Sequence, residues 1–267
     1  MSGFEAFKDL SMAHYIPPDN EGNSCVVVKN KFDINIEFDS QDRPEPNSWW
    51  QAVCDFQNKC VEEYLKRIVR LMRLFKEGTI CLPIARYFYY RNGTPRLLMG
   101  TPVDTCLIVG PPYILKEQEV TRLQIFLQKT NLPFGEPFLQ LAFESFEVSY
   151  EVYNLGLAFL SLMISLETML NPDDREPRYR VSRNAAVILG SNPQESERIF
   201  SEVRGLYDKR SKLVHTGENA NIGQEDGLKL RGYVKEAIKE MNMTGQSKDE
   251  LLETLNACGF GQRPWRE

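Results

Sequence analysis

Two histidines, His14 and His215, occur in the 267 residues, and the second closes the stretch Tyr207-Asp208-Lys209-Arg210-Ser211-Lys212-Leu213-Val214-His215. An imidazole with an unperturbed pKa of about 6.5 exchanges protons at neutral pH, whereas a guanidinium stays charged and presents a fork of donors to an anion. An arginine, a serine and a histidine within a turn and a half of one helix therefore suit acid/base work beside a phosphate. His215 is the candidate proton carrier, Arg210 stabilises negative charge in the transition state, and Ser211 hydrogen-bonds the phosphate or orients the imidazole. Asp208 is a second group able to orient the ring, and Lys209 and Lys212 add positive charge for a substrate. His14 sits in an N-terminal stretch read as irregular, without an acidic or histidine neighbour at ligand spacing, and receives no role.

The positions on the helix decide what these residues can share. Residues three, four and seven apart lie on one face. Val203, Leu206, Tyr207, Arg210, Leu213 and Val214 then form one band, and Asp208, Ser211, Lys212 and His215 a neighbouring one. Arg210 falls in the apolar band, where a guanidinium needs a partner, and Glu167, the one acid in the apolar run Leu155 to Leu170, is the expected one. Five positions separate Arg210 from His215, a turn of roughly 140° on a straight helix. Both reach one phosphate only if the helix ends or kinks between them, or if a second copy supplies the complement.

The pattern Arg-Ser-x3-His after Leu206-Tyr207-Asp208 resembles the Arg-x4-6-His signature of the HEPN superfamily, and more closely its Apea-like branch. The context agrees in order: an apolar helix ending Ser165-Leu166-Glu167-Thr168-Met169-Leu170, then the segment Arg180 to Leu189, then a helix from Arg198-Ile199-Phe200 to Val214. The similarity covers roughly residues 137 to 243. It implies a helical bundle, metal-independent endoribonuclease activity on RNA, and a homodimer whose motif helices face each other across a cleft. In that frame Arg210, Ser211 and His215 are catalytic, Glu167, Asp208 and Tyr207 support them, and Lys209 and Lys212 bind substrate. The settings it suggests are defence against viruses, toxin action or RNA processing, with a regulatory protein or antitoxin as a further partner. Because proteins of this fold also occur without catalysis, a dimerisation or nucleic-acid- or protein-binding module is the alternative.

Composition bounds the rest. A net charge of −5 and a pI near 5.4 exclude nucleic-acid binding over the whole surface, so any RNA contact must be concentrated. The first 20 residues carry Glu5, Asp9 and Pro17-Pro18, so neither a signal peptide nor an anchor is expected, and the cytoplasm is the expected compartment. The run Leu155 to Leu170 holds 16 residues with Glu167 inside; that is short of the about 20 apolar residues a membrane span needs. It is expected to be a core helix. The six cysteines have neither metal spacing nor neighbouring histidines, which suits reduced, packed thiols and supports no metal or cofactor.

The chain is read as mainly α, with an α+β region over residues 1 to 132, a helical bundle over 137 to 258 and a tail over 259 to 267. Alternation over 24 to 38 predicts one or two strands, and Asn92-Gly93 predicts a hairpin between Ile80 to Tyr90 and Arg96 to Met99. Tyr87 to Tyr90 are read as sheet aromatics. Helices are expected over Trp49 to Lys76, Lys116 to Lys129, one long run from Phe138 through Leu170, Val181 to Leu189, Gln194 to Val214, Leu228 to Met241 and Ser247 to Leu255. In the first of these, Lys66, Arg67, Arg70, Arg73 and Lys76 are expected to form a solvated basic flank.

Overall fold

The computed structural model describes residues 13–16, 25–28, 63–80, 84–91, 94–102, 111–172, 176–217 and 222–262. These residues are mainly helical. The chain forms two compact units, Met1–Gln57 and Asn58–Glu267. In the first, β1 (Ala13–Ile16) pairs antiparallel with β2 (Cys25–Val28), and His14 lies opposite Val27. The stretch around His14, read as irregular, is thus a strand. The remainder of the alternating stretch 24 to 38, beyond residue 28, lies outside the described residues.

In the second unit, helix α1 is described over 63–75. An antiparallel hairpin follows, of β3 (Ile84–Arg91) and β4 (Thr94–Pro102), its register shifting between Tyr87 and Phe88. A short 3-10 turn (Glu117–Glu119) leads into α2 (Val120–Lys129). Of the apolar residues of that helix, Leu123 is buried, whereas Val120 and Ile125 are exposed. Six helices then share a common core: α3 (Pro137–Glu151), α4 (Leu155–Leu170), α5 (Pro177–Leu189), α6 (Pro193–Thr216), α7 (Gln224–Thr244) and α8 (Lys248–Ala257) together make the bundle.

The single long helix expected over Phe138 to Leu170 is two. Val152 and Asn154 take extended backbone, and the Asn154 side chain accepts a hydrogen bond from the Leu157 N–H at 3.1 Å. A β-branched residue followed by an N-cap competes well with helix continuation. The chain folds back there, so that the Ser165 hydroxyl donates to the Ala142 carbonyl at 2.7 Å. On α3 the buried positions Leu139, Ala142, Phe143, Phe146 and Tyr150 recur at helical steps. Phe134, Phe143, Phe146 and Tyr150 form a chain of ring contacts with centroids 5.2, 6.2 and 5.5 Å apart, the middle one stacked and the outer two edge-on. Helix α4 is apolar all round but not surrounded: Phe159, Leu162, Met163, Leu166, Met169 and Leu170 are buried, while Leu157 and Ile164 face outward.

Helix α5 starts earlier than expected, at Pro177, whose fixed φ suits the first helical position. Its far end turns at Gly190, where a Cβ would meet Ser196 Oγ at 2.1 Å and the Ala186 carbonyl at 2.8 Å, so α5 and α6 approach too closely for any side chain. Asn184 donates to the Leu170 carbonyl at 2.9 Å and closes the end of α4. Arg183 donates to the carbonyls of Leu255, Asn256 and Cys258 and so caps α8. Beyond α8, Phe260 packs against Phe200 and the Gly261 N–H donates to Ser196 Oγ at 3.0 Å. No helix among the described residues is long and apolar enough to cross a membrane.

Candidate active site

Helix α6 carries the Arg-Ser-x3-His stretch, and its ends follow from local chemistry. Asn192 Oδ1 accepts the Glu195 N–H at 2.8 Å, and Pro193 occupies the first turn. At the other end Gly217 takes the left-handed conformation, φ 69°, and its N–H donates to the Leu213 carbonyl at 3.0 Å. Between these caps the helix is continuous through His215, so no kink brings His215 round to Arg210. The buried band is Ile199, Val203, Leu206 and Tyr207.

Arg210 and Glu167 meet, as their positions on apolar faces require. Arg210 Nη2 lies 3.4 Å from both Glu167 oxygens, with the two side chains 27% and 21% exposed. That separation exceeds the roughly 2.7–2.9 Å of a tight charge-assisted bond. The guanidinium is therefore loosely held and partly open to solvent. Its carbon lies 5.4 Å from the centroid of the Tyr207 ring. Burial, and then the neighbouring Glu167 carboxylate, push the Tyr207 phenol up to about 12, so it stays protonated at neutral pH. Because solvent screens this pair, Glu167→Ala should lower the unfolding free energy by only about 1 kcal/mol. Chemical denaturation of the variant checks this; a loss of several kcal/mol would mean the pair is desolvated.

His215 is exposed at the end of α6, and Ser211 lies one turn before it, half-buried; neither makes a hydrogen bond or ion pair to a described residue. Asp208, named as a group able to orient the imidazole, instead pairs with Arg178 of α5 at 2.6 Å. Lys209, named for substrate binding, donates to both Asp226 oxygens at 2.7 Å and ties α6 to α7. Burial of Asp226 raises its pKa, but Lys209 and the Gly223 N–H outweigh it and hold the carboxyl below its usual range. Lys212 is exposed and has no ion-pair partner among the described residues.

A second ionic cluster was not anticipated from the sequence. Arg73 of α1 is 1% exposed and donates through Nη1 to Glu147 Oε2 of α3 at 2.8 Å and through Nε to the Ile80 carbonyl at 3.1 Å. Arg70 approaches the same carboxylate at 3.7 Å and stacks over Phe143 at 4.7 Å. Arg73 and Arg231 of α7 both stack on the Tyr150 ring, at 4.7 and 4.2 Å. Arg67 reaches the Thr130 carbonyl at 3.4 Å, and Lys76 pairs with Glu119 at 2.5 Å. The basic side of α1 is thus neither a solvated flank nor a free RNA surface: it docks on the bundle. The available signal was Glu147 itself, which sits at a core position one turn from Phe143.

Among the described residues no three His, Cys, Asp or Glu side chains gather where they could hold a metal ion. Comparison with protein-family models, curated proteins and solved structures found no match to this chain.

Proposed function

We propose that this chain is a metal-independent endoribonuclease of the HEPN type, acting on RNA in the cytoplasm in a defence, toxin or RNA-processing role. The observation that carries the reading is the state of two groups on α6: an exposed imidazole at His215 without a partner among the described residues, and a guanidinium at Arg210 held loosely by Glu167 beside Tyr207. Such a guanidinium can turn toward a phosphate at little cost, and such an imidazole is free to take a proton. The nucleophile comes from the substrate. Neutral His215 removes the proton of the RNA 2′-hydroxyl, the oxygen attacks the adjacent phosphorus, and the bond to the 5′-oxygen breaks as that oxygen takes up a proton. Arg210 and Ser211 stabilise the charge on the non-bridging oxygens. The products are a 2′,3′-cyclic phosphate and a 5′-hydroxyl.

On a continuous helix Arg210 and His215 diverge by roughly 140°, so the complete site calls for two copies. Val214, one turn after Arg210, and Ile164, three residues before Glu167, are exposed apolar groups that such a dimer would bury. Light scattering at micromolar concentration should give the mass of two chains; a single-chain mass with cleavage intact would exclude the shared site. The same divergence favours the second reading, a non-catalytic dimerisation or nucleic-acid- or protein-binding module. Incubation of the purified full chain with mixed RNA in chelator, beside His215→Ala, decides between them: cleavage by the first alone supports the enzyme, and no cleavage by either leaves the binding module.

A further inference from the structure

One face of α6 reads Phe200, Arg204, Asp208, Ser211 and His215, at steps of four, four, three and four residues; Arg204 and His215 are exposed and the other three half-buried. Helix α5 lies along it. Arg178 of α5 pairs with Asp208 at 2.6 Å, and the Tyr179 ring meets Phe200 edge-on, 5.9 Å between centroids at 76°. Phe200 is backed in turn by Phe260 at 5.8 Å. Tyr179 is consequently an aromatic that is 53% exposed yet held by a packed ring behind it. Around it, Arg178 neutralises Asp208, and Arg204 and Lys212 are exposed without ion-pair partners among the described residues.

We infer that this face is a track for single-stranded RNA, with Tyr179 as a stacking platform and Arg204 and Lys212 as phosphate contacts, leading the strand to His215. The inference rests on the ribonuclease reading for its ligand and extends it by naming how the strand is held. A fixed aromatic face accepts any base, and cations spaced along a helix follow the backbone without reading sequence. The charge complementarity is local: the chain carries −5 overall, yet Asp208 is the one acid on this face between Phe200 and His215, and it is already paired. A packed, half-exposed ring also loses little conformational freedom when a base stacks on it.

The test is fluorescence anisotropy of the full chain with a labelled, uniformly 2′-O-methylated single-stranded RNA, which the proposed chemistry cannot cut. Tyr179→Ala should weaken binding by about 5- to 100-fold, and Tyr179→Phe should restore it. Arg204→Ala should weaken binding and reduce the slope of log affinity against log salt by about one contact. Arg122→Ala, an exposed cation on α2, is the control and should bind as wild type. Wild-type affinity in both Tyr179→Ala and Arg204→Ala would overturn the track, as would an equal loss in the control. A fall in oligomer mass in Tyr179→Ala would reassign the face to a protein interface. Should Tyr179→Ala fail to fold, Arg204→Ala with its salt slope carries the test alone. Failure of the ribonuclease reading is seen separately: unmodified RNA left intact while the variants still lose binding would sink the catalysis and keep the track.

Discussion

Glu147→Ala should lower the unfolding free energy by about 3–5 kcal/mol, the largest stability effect expected of a single change here. The substitution removes the carboxylate that pairs with Arg73, a side chain that is 1% exposed and stays charged, and the Ile80 carbonyl and the Tyr150 ring beside it carry no compensating charge. Glu147→Gln should cost much less, because the amide oxygen still accepts from Arg73. The two variants separate loss of the charge from loss of the hydrogen bond. Equal and small effects in denaturant melts would show that α1 contributes little to the fold.

The same residue makes stability depend on pH with a defined sign. Burial pushes the Glu147 carboxyl up to about 7, against the opposing pull of Arg73 and then Arg70. A group that binds its proton more tightly in the native state contributes stability that is complete below its unfolded pKa and lost as pH rises through the folded one. Wild type should therefore lose stability relative to Glu147→Gln as pH rises from about 4.5 to about 7. The opposite slope would mean that the two arginines, not desolvation, govern the carboxyl.

His215→Ala should reduce RNA cleavage by about 100- to 10,000-fold, the range for loss of a general acid/base. Its fold should be unaffected, since the side chain is exposed and has no partner among the described residues. Arg210→Ala should reduce cleavage comparably, with a small stability loss as Glu167 is left unpaired. Cleavage by wild type should survive EDTA and stop at a 2′-deoxy position. If a 2′-deoxy substrate is cut as fast, the 2′-hydroxyl is not the nucleophile; if His215→Ala cuts as fast as wild type, the imidazole is not the proton carrier.

Much of the helical region could be read from the chain itself, because its signals are local. Asn192-Pro193 opens α6, Gly217 closes it and Ser247 caps α8, and each works through atoms a few residues away. Placing Glu167 against Arg210 was also within reach of sequence, since each is a charge at an apolar helical position and neither can be left alone there. What tertiary structure decided was which charges are spent inside the protein. Lys209 and Asp208 look like Lys212 and Ser211 on a helical projection, yet α7 brings Asp226 to Lys209 and α5 brings Arg178 to Asp208. Arg73 looks like one of a row of solvated cations until α3 presents Glu147 across 74 positions of sequence. A side chain's periodicity tells which face it occupies; only the packing of distant helices tells whether that face meets water or a partner.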